Sequence, residues 1–123
     1  MGVREWRRFP RRVYGSGDEP DPRFSLANER TFLAWIRTAL AFFAAGVALD
    51  ALPIQLPTSL RVASAVVLIT TGLLAAAQSW RGWARSERAM REGSALPAPT
   101  VAPLVVTGLL VVAVLLLAGL FLV

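Results

Sequence analysis

The sequence has no cysteine, no histidine and no lysine. Without cysteine or histidine there is no disulfide, no thiolate or imidazole metal ligand, no cysteine nucleophile and no histidine general base. Without lysine there is no Schiff-base amine and no phosphate-loop lysine. All 13 basic residues are arginine, set against eight carboxylates. Acid–base or nucleophilic chemistry would fall to those carboxylates, Tyr14 and the Ser and Thr hydroxyls, and no paired carboxylates or nucleophile–base spacing appears among them. An enzymatic role is therefore not expected, nor a metal, a cofactor or a nucleic-acid partner.

Charge is scarce as well as one-sided. Charged residues make up 17% of the 123-residue chain and apolar ones 55%, and the mean hydropathy is +0.55. A soluble domain this small buries too little of its surface to hide that much apolar area. The class is integral membrane, with the lipid bilayer as the first partner. Three apolar runs fill residues 31–49, 62–79 and 104–123, and each, at 18 to 20 residues, covers about 27–30 Å as a helix, enough for a bilayer core. Pro53 and Pro57 mark a short turn after the first run; Pro97, Pro99 and Pro103 precede the third. The runs are continuous rather than alternating, which excludes a closed barrel. The expected fold is all-α, a three-helix transmembrane bundle with spans at about 31–50, 61–80 and 103–123.

Arginine placement predicts the orientation. Seven precede the first span (Arg4, Arg7, Arg8, Arg11, Arg12, Arg23 and Arg30), and the second loop holds Arg81, Arg85, Arg88 and Arg91. The first loop has Arg61 alone, and nothing basic follows the third span. By the positive-inside rule the N-terminus and second loop are cytoplasmic, and the first loop and C-terminus face outward.

Residues 1–20 read as a disordered basic cytoplasmic tail, and 21–123 as the membrane domain. Arg7-Arg8-Phe9 is similar to a twin-arginine export signal, but Pro10 and further arginines follow where an apolar core belongs. Trp6, Phe9 and Tyr14 among these cations suit anionic headgroups, where each surface cation contributes about 1 kcal/mol.

Asp21-Pro22 reads as a helix start, with Asp as N-cap and Pro at the first helical position. The stretch it opens, DPRFSLANERTFLAWIRTALA at 21–41, resembles the signature of the YidH family of small three-span bacterial membrane proteins. Through ANERTFLAW it is also similar to the membrane domain of the eukaryotic vacuolar transporter chaperone. That second resemblance implies an oligomeric membrane channel that passes polyphosphate, while the polymerase and phosphate-sensing domains of that relative have no counterpart in this sequence.

Arg37 lies inside the apolar zone, about 9 Å beyond Thr31 by helical rise. A central membrane arginine costs at least about 2.5–3.5 kcal/mol on insertion scales. It either snorkels to headgroups or pairs with Glu29 of its own or a neighbouring helix, or else it lines an axis. Arg30, Ala34, Ala41, Ala44 and Ala48 project within about 60° of it. Such a stripe of small residues suits helix packing, or a pore-lining helix in a homo-oligomer whose arginines attract phosphate-type anions. Asn28 projects about 180° from Arg37 and faces a different neighbour. Glu29 lies about 80° away and two turns below, which points it to Arg81 or Arg85 across the helix pair. Trp80 and Trp83 form an aromatic belt at headgroup level; Arg81, Arg85 and Arg88 share a helical face suited to lipid headgroups or a partner. Thr70, Thr71 and Gln78 are candidates for hydrogen bonds between helices.

The expected function follows in two forms. One is a multi-pass protein of the cytoplasmic (inner) membrane, homo-oligomeric, that holds or passes phosphate-type anions through Arg30 and Arg37, with Glu29 and Asn28 in the same site. The other is a non-transporting subunit that docks onto another membrane protein or organises anionic lipids. The orientation has a direct test. Topology reporters fused at Gln55 and after Val123 should score as external and one at Glu87 as internal, and the reverse pattern would refute it.

Overall fold

The computed structural model describes residues 8–122, which form four helices. They are α1 (Arg11–Tyr14), α2 (Pro22–Ala51), α3 (Thr58–Glu92) and α4 (Val101–Leu122). The last three are long and apolar enough to cross a membrane, in agreement with the three expected spans, and no strand occurs among the described residues. Their ends differ from the apolar runs. With 30 and 35 residues, α2 and α3 extend about 45 and 52 Å, well past a hydrocarbon core of about 30 Å. Both therefore continue beyond the bilayer at the end where residues 22–30 and 80–92 lie side by side. Helix α4, with 22 residues, is close to one bilayer thickness.

Local chemistry sets the ends. The Asp21 carboxylate accepts from the Arg23 backbone N–H at 2.9 Å with Pro22 beside it, as the sequence indicated. Arg23 also clamps that carboxylate at 2.9 Å, and its hydrogen bonds hold the Asp21 carboxyl below the usual range. Leu52 turns extended ahead of Pro53. Helix α3 stops at Gly93, whose φ of 69° closes it with an N–H bond to the Ala89 carbonyl. Pro103 sits in the first turn of α4, where no N–H is missed.

Helix α3 is the middle of the bundle. Ala39 and Phe42 of α2 and Val101, Val105 and Val112 of α4 join its Leu68 and Ala75 in one core. The α2–α3 approach is close enough to demand glycine from both sides. A Cβ at Gly72 would stand 2.9 Å from the Ala39 carbonyl oxygen and 2.8 Å from Phe43, and one at Gly46 would stand 2.6 Å from Ile69. Small residues let membrane helices bring their backbones together and gain dispersion contacts that lipid cannot replace.

Two expectations are corrected here. The helix-packing reading of the alanine stripe is not one of them, although contacts within the chain use another face: Ala34, Ala41 and Ala44 are exposed and Ala48 is half-buried. Packing goes through Ala39, Phe42 and Gly46, which project about 140–180° from Arg37. Among the described residues, no hydrogen bond crosses between helices at Thr70, Thr71 or Gln78. Thr71 instead packs against Gly108, and other hydroxyls close onto their own helix: Thr38 to the Ala34 carbonyl at 3.2 Å, Ser79 to Ala75 at 2.6 Å and Thr107 to Pro103 at 2.8 Å.

The second correction concerns the tail. Residues 1–7, including Arg4, Trp6 and Arg7, lie outside the described residues. Residues 8–20 are folded rather than disordered, and pack against the far end of α3. Val13 is 1% exposed, and the Asp18 N–H donates to the Arg91 carbonyl at 2.8 Å. Gly17 has φ 59°, and any Cβ there would collide with that same carbonyl. A buried valine, the Arg91 contacts and aromatic packing of Phe9 and Tyr14 on Trp80 and Trp83 hold a segment whose composition reads as solvated.

The close approach makes a specific demand. Gly72→Leu should weaken the bundle by about 1–3 kcal/mol through overpacking. Gly82→Ala, at a helical position with nothing within 4 Å of the new Cβ, should be neutral or slightly stabilising. Unfolding in detergent micelles, followed by circular dichroism, distinguishes the two.

Candidate functional site

Where α2 and α3 leave the bilayer they enclose a carboxylate. Glu87 of α3 is 4% exposed. Ser25 Oγ donates to its Oε1 at 2.5 Å, and Asn28 Nδ2 donates to its Oε2 at 3.1 Å and to the Trp83 carbonyl at 3.0 Å. Ser25 and Asn28 stand three residues apart, on one face of α2. Among the described residues Glu87 makes no ion pair, and its hydrogen bonds come from a hydroxyl and an amide, which offset part of the cost of its burial. One turn further along α3, Arg91 is 4% exposed. Its Nε donates to the Ser16 carbonyl at 2.8 Å and its Nη2 to the Tyr14 carbonyl at 3.1 Å. These bonds fasten the N-terminal segment to α3.

Aromatic rings fill the space between. Trp80 and Trp83 stack with centroids 5.2 Å apart, Phe32 meets Trp80 edge-on at 6.1 Å and Tyr14 lies 6.3 Å from Trp83. Arg8 and Arg91 lie over the Tyr14 ring at 4.5 and 5.5 Å. Burial, and then the negative charge of Glu87, push the Tyr14 phenol above its ordinary value. The two tryptophans expected as a headgroup belt are thus partly internal: Trp83 is half-buried, while Trp80 remains 44% exposed.

Two of the cavities that flank this cluster are lined in part by the N-terminal segment. One, of about 240 Å³, is lined by Glu29, Glu87, Tyr14, Phe32, Trp80 and Trp83, with Ser25 and Leu26. The other, a groove of about 480 Å³, is lined by Arg81, Arg85 and Arg88 of α3 together with Arg12, Pro10 and Val13 from the N-terminal segment, Trp80 and Ala84.

The expected site residues are therefore divided. Asn28 faces away from Arg37, as its angle indicated, and its neighbour is Glu87. Glu29 does not pair with Arg81 or Arg85; among the described residues it makes no ion pair. Arg81 and Arg85 project about 120° and 160° around α3 from Glu87, so they leave the side that Glu29 faces. Arg30 and Arg37 are exposed on the outer face of α2 and line neither cavity. Glu87 was missed because it sits in an arginine-rich stretch that reads as a solvated face. The helical wheel carries the signal: Glu87, Trp80, Trp83 and Arg91 all project within about 40° of one common direction on α3.

These features define a three-span helical membrane protein whose first two spans continue into a compact polar and aromatic end piece. Residues 23–89 match the family described as Domain of unknown function (DUF202), and the chain belongs to that family. It is 47% identical over 102 residues to the inner membrane protein YidH of Escherichia coli (strain K12), covering 80% of this chain and 87% of that protein. The Shigella flexneri protein of the same name matches equally, at 47% over 102 residues. An uncharacterized protein of Mycobacterium tuberculosis (strain H37Rv) is 44% identical over 105 residues, 81% of this chain and 83% of its own length. No solved structure matches. The resemblance read at 21–41 holds across most of the chain, which is a multi-pass protein of the inner membrane. The matched stretch takes in Ser25, Asn28 and Glu87 and stops before α4.

The anchor can be tested by changing its acceptor. Glu87→Leu removes the acceptor of Ser25 Oγ and leaves Asn28 Nδ2 with the Trp83 carbonyl alone, and should cost about 1–3 kcal/mol. Glu87→Gln, which keeps one acceptor oxygen and gains a donor that Ser25 can accept, should lose less. Chemical unfolding in detergent measures both, and equal stability of Glu87→Leu and wild type would refute the anchor.

Proposed function

We propose that the chain works as a homo-oligomeric inner-membrane protein, N-terminus inside and C-terminus outside, that presents the α2 arginines to phosphate-type anions and catalyses no reaction. One observation carries this reading. Arg30, Ala34, Arg37, Ala41 and Ala44 are all exposed on a single face of α2, turned away from α3. Among the described residues neither Arg30 nor Arg37 has an ion-pair partner. An arginine facing lipid is costly, about 2.5–3.5 kcal/mol at the centre of a span; a second copy meeting the same face takes it out of lipid, with an anion between the facing guanidiniums offsetting their repulsion. The alanines let two such helices approach closely. Guanidiniums repeated around an axis form rings that favour phosphate oxygens through paired N–H donors. Each copy contributes two of them, about 10 Å apart along the helix.

A second reading uses the same face differently. Leu33 and Leu40 flank it and are 44% and 59% exposed, a surface that also suits a different membrane protein, in a non-transporting assembly. Cysteines placed at Ala41 and Ala44 separate the two readings. Homo-oligomers should cross-link through them in native membranes; monomers at both positions would overturn the first reading. An aqueous path past Arg37 would further admit a thiol reagent to those positions. Arg37→Leu should lower the detergent-resistant oligomer fraction and Arg37→Lys should partly restore it, because lysine keeps the charge but loses the planar fork. If all three proteins behave alike, Arg37 only snorkels.

A further inference from the structure

The groove between the N-terminal segment and α3 is built on other residues than the α2 face, and its chemistry is of one kind. Arg81, Arg85 and Arg88 recur at positions i, i+4 and i+7, within about 60° on one side of α3. The folded tail then sets Arg12 opposite them across a space of about 480 Å³. No carboxylate lines that space. Arg88 has a counter-charge in Glu92 at 2.9 Å, whereas Arg12, Arg81 and Arg85 make no ion pair among the described residues.

A solvated basic face would spread its cations apart. Here the tail is held by contacts that do not involve Arg12: the buried Val13, the Arg91 bonds to Ser16 and Tyr14, and the tight fit of Gly17. Those contacts place Arg12 beside three like charges, and among the described residues only Arg88 has a carboxylate, Glu92, to offset it. The short Ala84 side chain leaves room at the base, and Trp80 forms a wall.

We propose that Arg12, Arg81, Arg85 and Arg88 form a binding site for a phosphate group. Guanidiniums suit this ligand because their planar donors match phosphate oxygens in pairs. The exposed Trp80 beside the groove places it at the depth of lipid headgroups. The same chemistry is offered by the phosphate of an anionic glycerophospholipid and by free phosphate from the aqueous side. The site is independent of the α2 reading, since Arg30 and Arg37 do not contribute to it.

The test uses the full chain in two arms. In one, protein in phosphatidylcholine nanodiscs is titrated with inorganic phosphate by calorimetry. In the other, native mass spectrometry counts phosphatidylglycerol against phosphatidylcholine retained from mixed micelles. Wild type should bind in at least one arm, and the arm that responds identifies the source. Arg81→Gln/Arg85→Gln should weaken that binding by about tenfold or more, the loss expected from removing charge-assisted hydrogen bonds. Arg81→Lys/Arg85→Lys should fall between. Arg61→Gln, in the first turn of α3 at its other end, should bind as wild type does, and the oligomer fraction should be unchanged in every variant. The proposal is overturned if wild type binds in neither arm, if the double glutamine variant matches wild type, or if Arg61→Gln loses as much.

Discussion

Because α2, α4 and the N-terminal turn all pack on α3, the outer sides of the flanking helices are left to whatever surrounds the chain. Small residues make that arrangement possible. Gly46 and Gly72 bring α2 against α3, and Thr71 meets Gly108 on the other flank. Within the apolar windows only 22% of α2 and α4 is buried, and 33% of α3. Lipid tails solvate most of what remains, as the exposed leucines and valines of all three spans show. They do not solvate Arg37. The geometry that satisfies α3 is thus the same geometry that turns the arginine face of α2 outward.

Past the bilayer α3 keeps its central role, but polar groups replace small apolar ones. On one side of the helix Glu87 and Arg91 are buried, and neither neutralises the other directly. Glu87 takes hydroxyl and amide donors from α2, while Arg91 gives its donors to carbonyls of the tail. Each charge therefore ties a different segment to α3. Removing one partner from such a contact leaves a buried group unsatisfied, which costs more than the contact itself contributes. On the other side Arg81, Arg85 and Arg88 stay at the surface, where burial makes no such demand.

The spans were legible because a chain this short has no interior large enough to hide three continuous apolar runs, so only lipid can take them. The start of α2 was legible because Asp21 and Pro22 each have a local reason to stand there, and so was the divergence of Asn28 from Arg37, which needs only helical geometry. The alanine stripe was legible as a feature but not as a contact. Both sides of α2 carry small residues, and only the fit of Gly46 and Gly72 shows which side meets α3. The docked tail was not legible, since many of its anchors are backbone carbonyls, which every residue has, and its Val13 and Tyr14 side chains carry no helical pattern that marks them as docked. Glu87 was hidden for a related reason: its partners are a serine and an asparagine 62 and 59 residues away, and the charges nearest in sequence point elsewhere.

The distribution of charge then has a consistent physical logic. Where the fold buries a charge, it surrounds that charge with fixed dipoles of its own: Glu87 with Ser25 and Asn28, Arg91 with Ser16 and Tyr14. Where it leaves cations on a surface, several lack a carboxylate from the described chain: Arg30 and Arg37 on α2, Arg12, Arg81 and Arg85 at the groove. Glu29 and Glu87 are near enough to the groove to share Trp80 as a wall between their cavity and it, yet they face the aromatic side. That separation across one tryptophan leaves Arg12, Arg81 and Arg85 without an internal pair among the described residues, while Arg88 pairs with Glu92. Unpaired guanidiniums held at fixed spacing attract external anions more strongly than mobile ones, because less side-chain freedom is lost on binding. The buried anchors and the open arginines are therefore two parts of one arrangement, in which the internal polar bonds hold the tail and α2 against α3 and leave at the surface cations that have no carboxylate among the described residues.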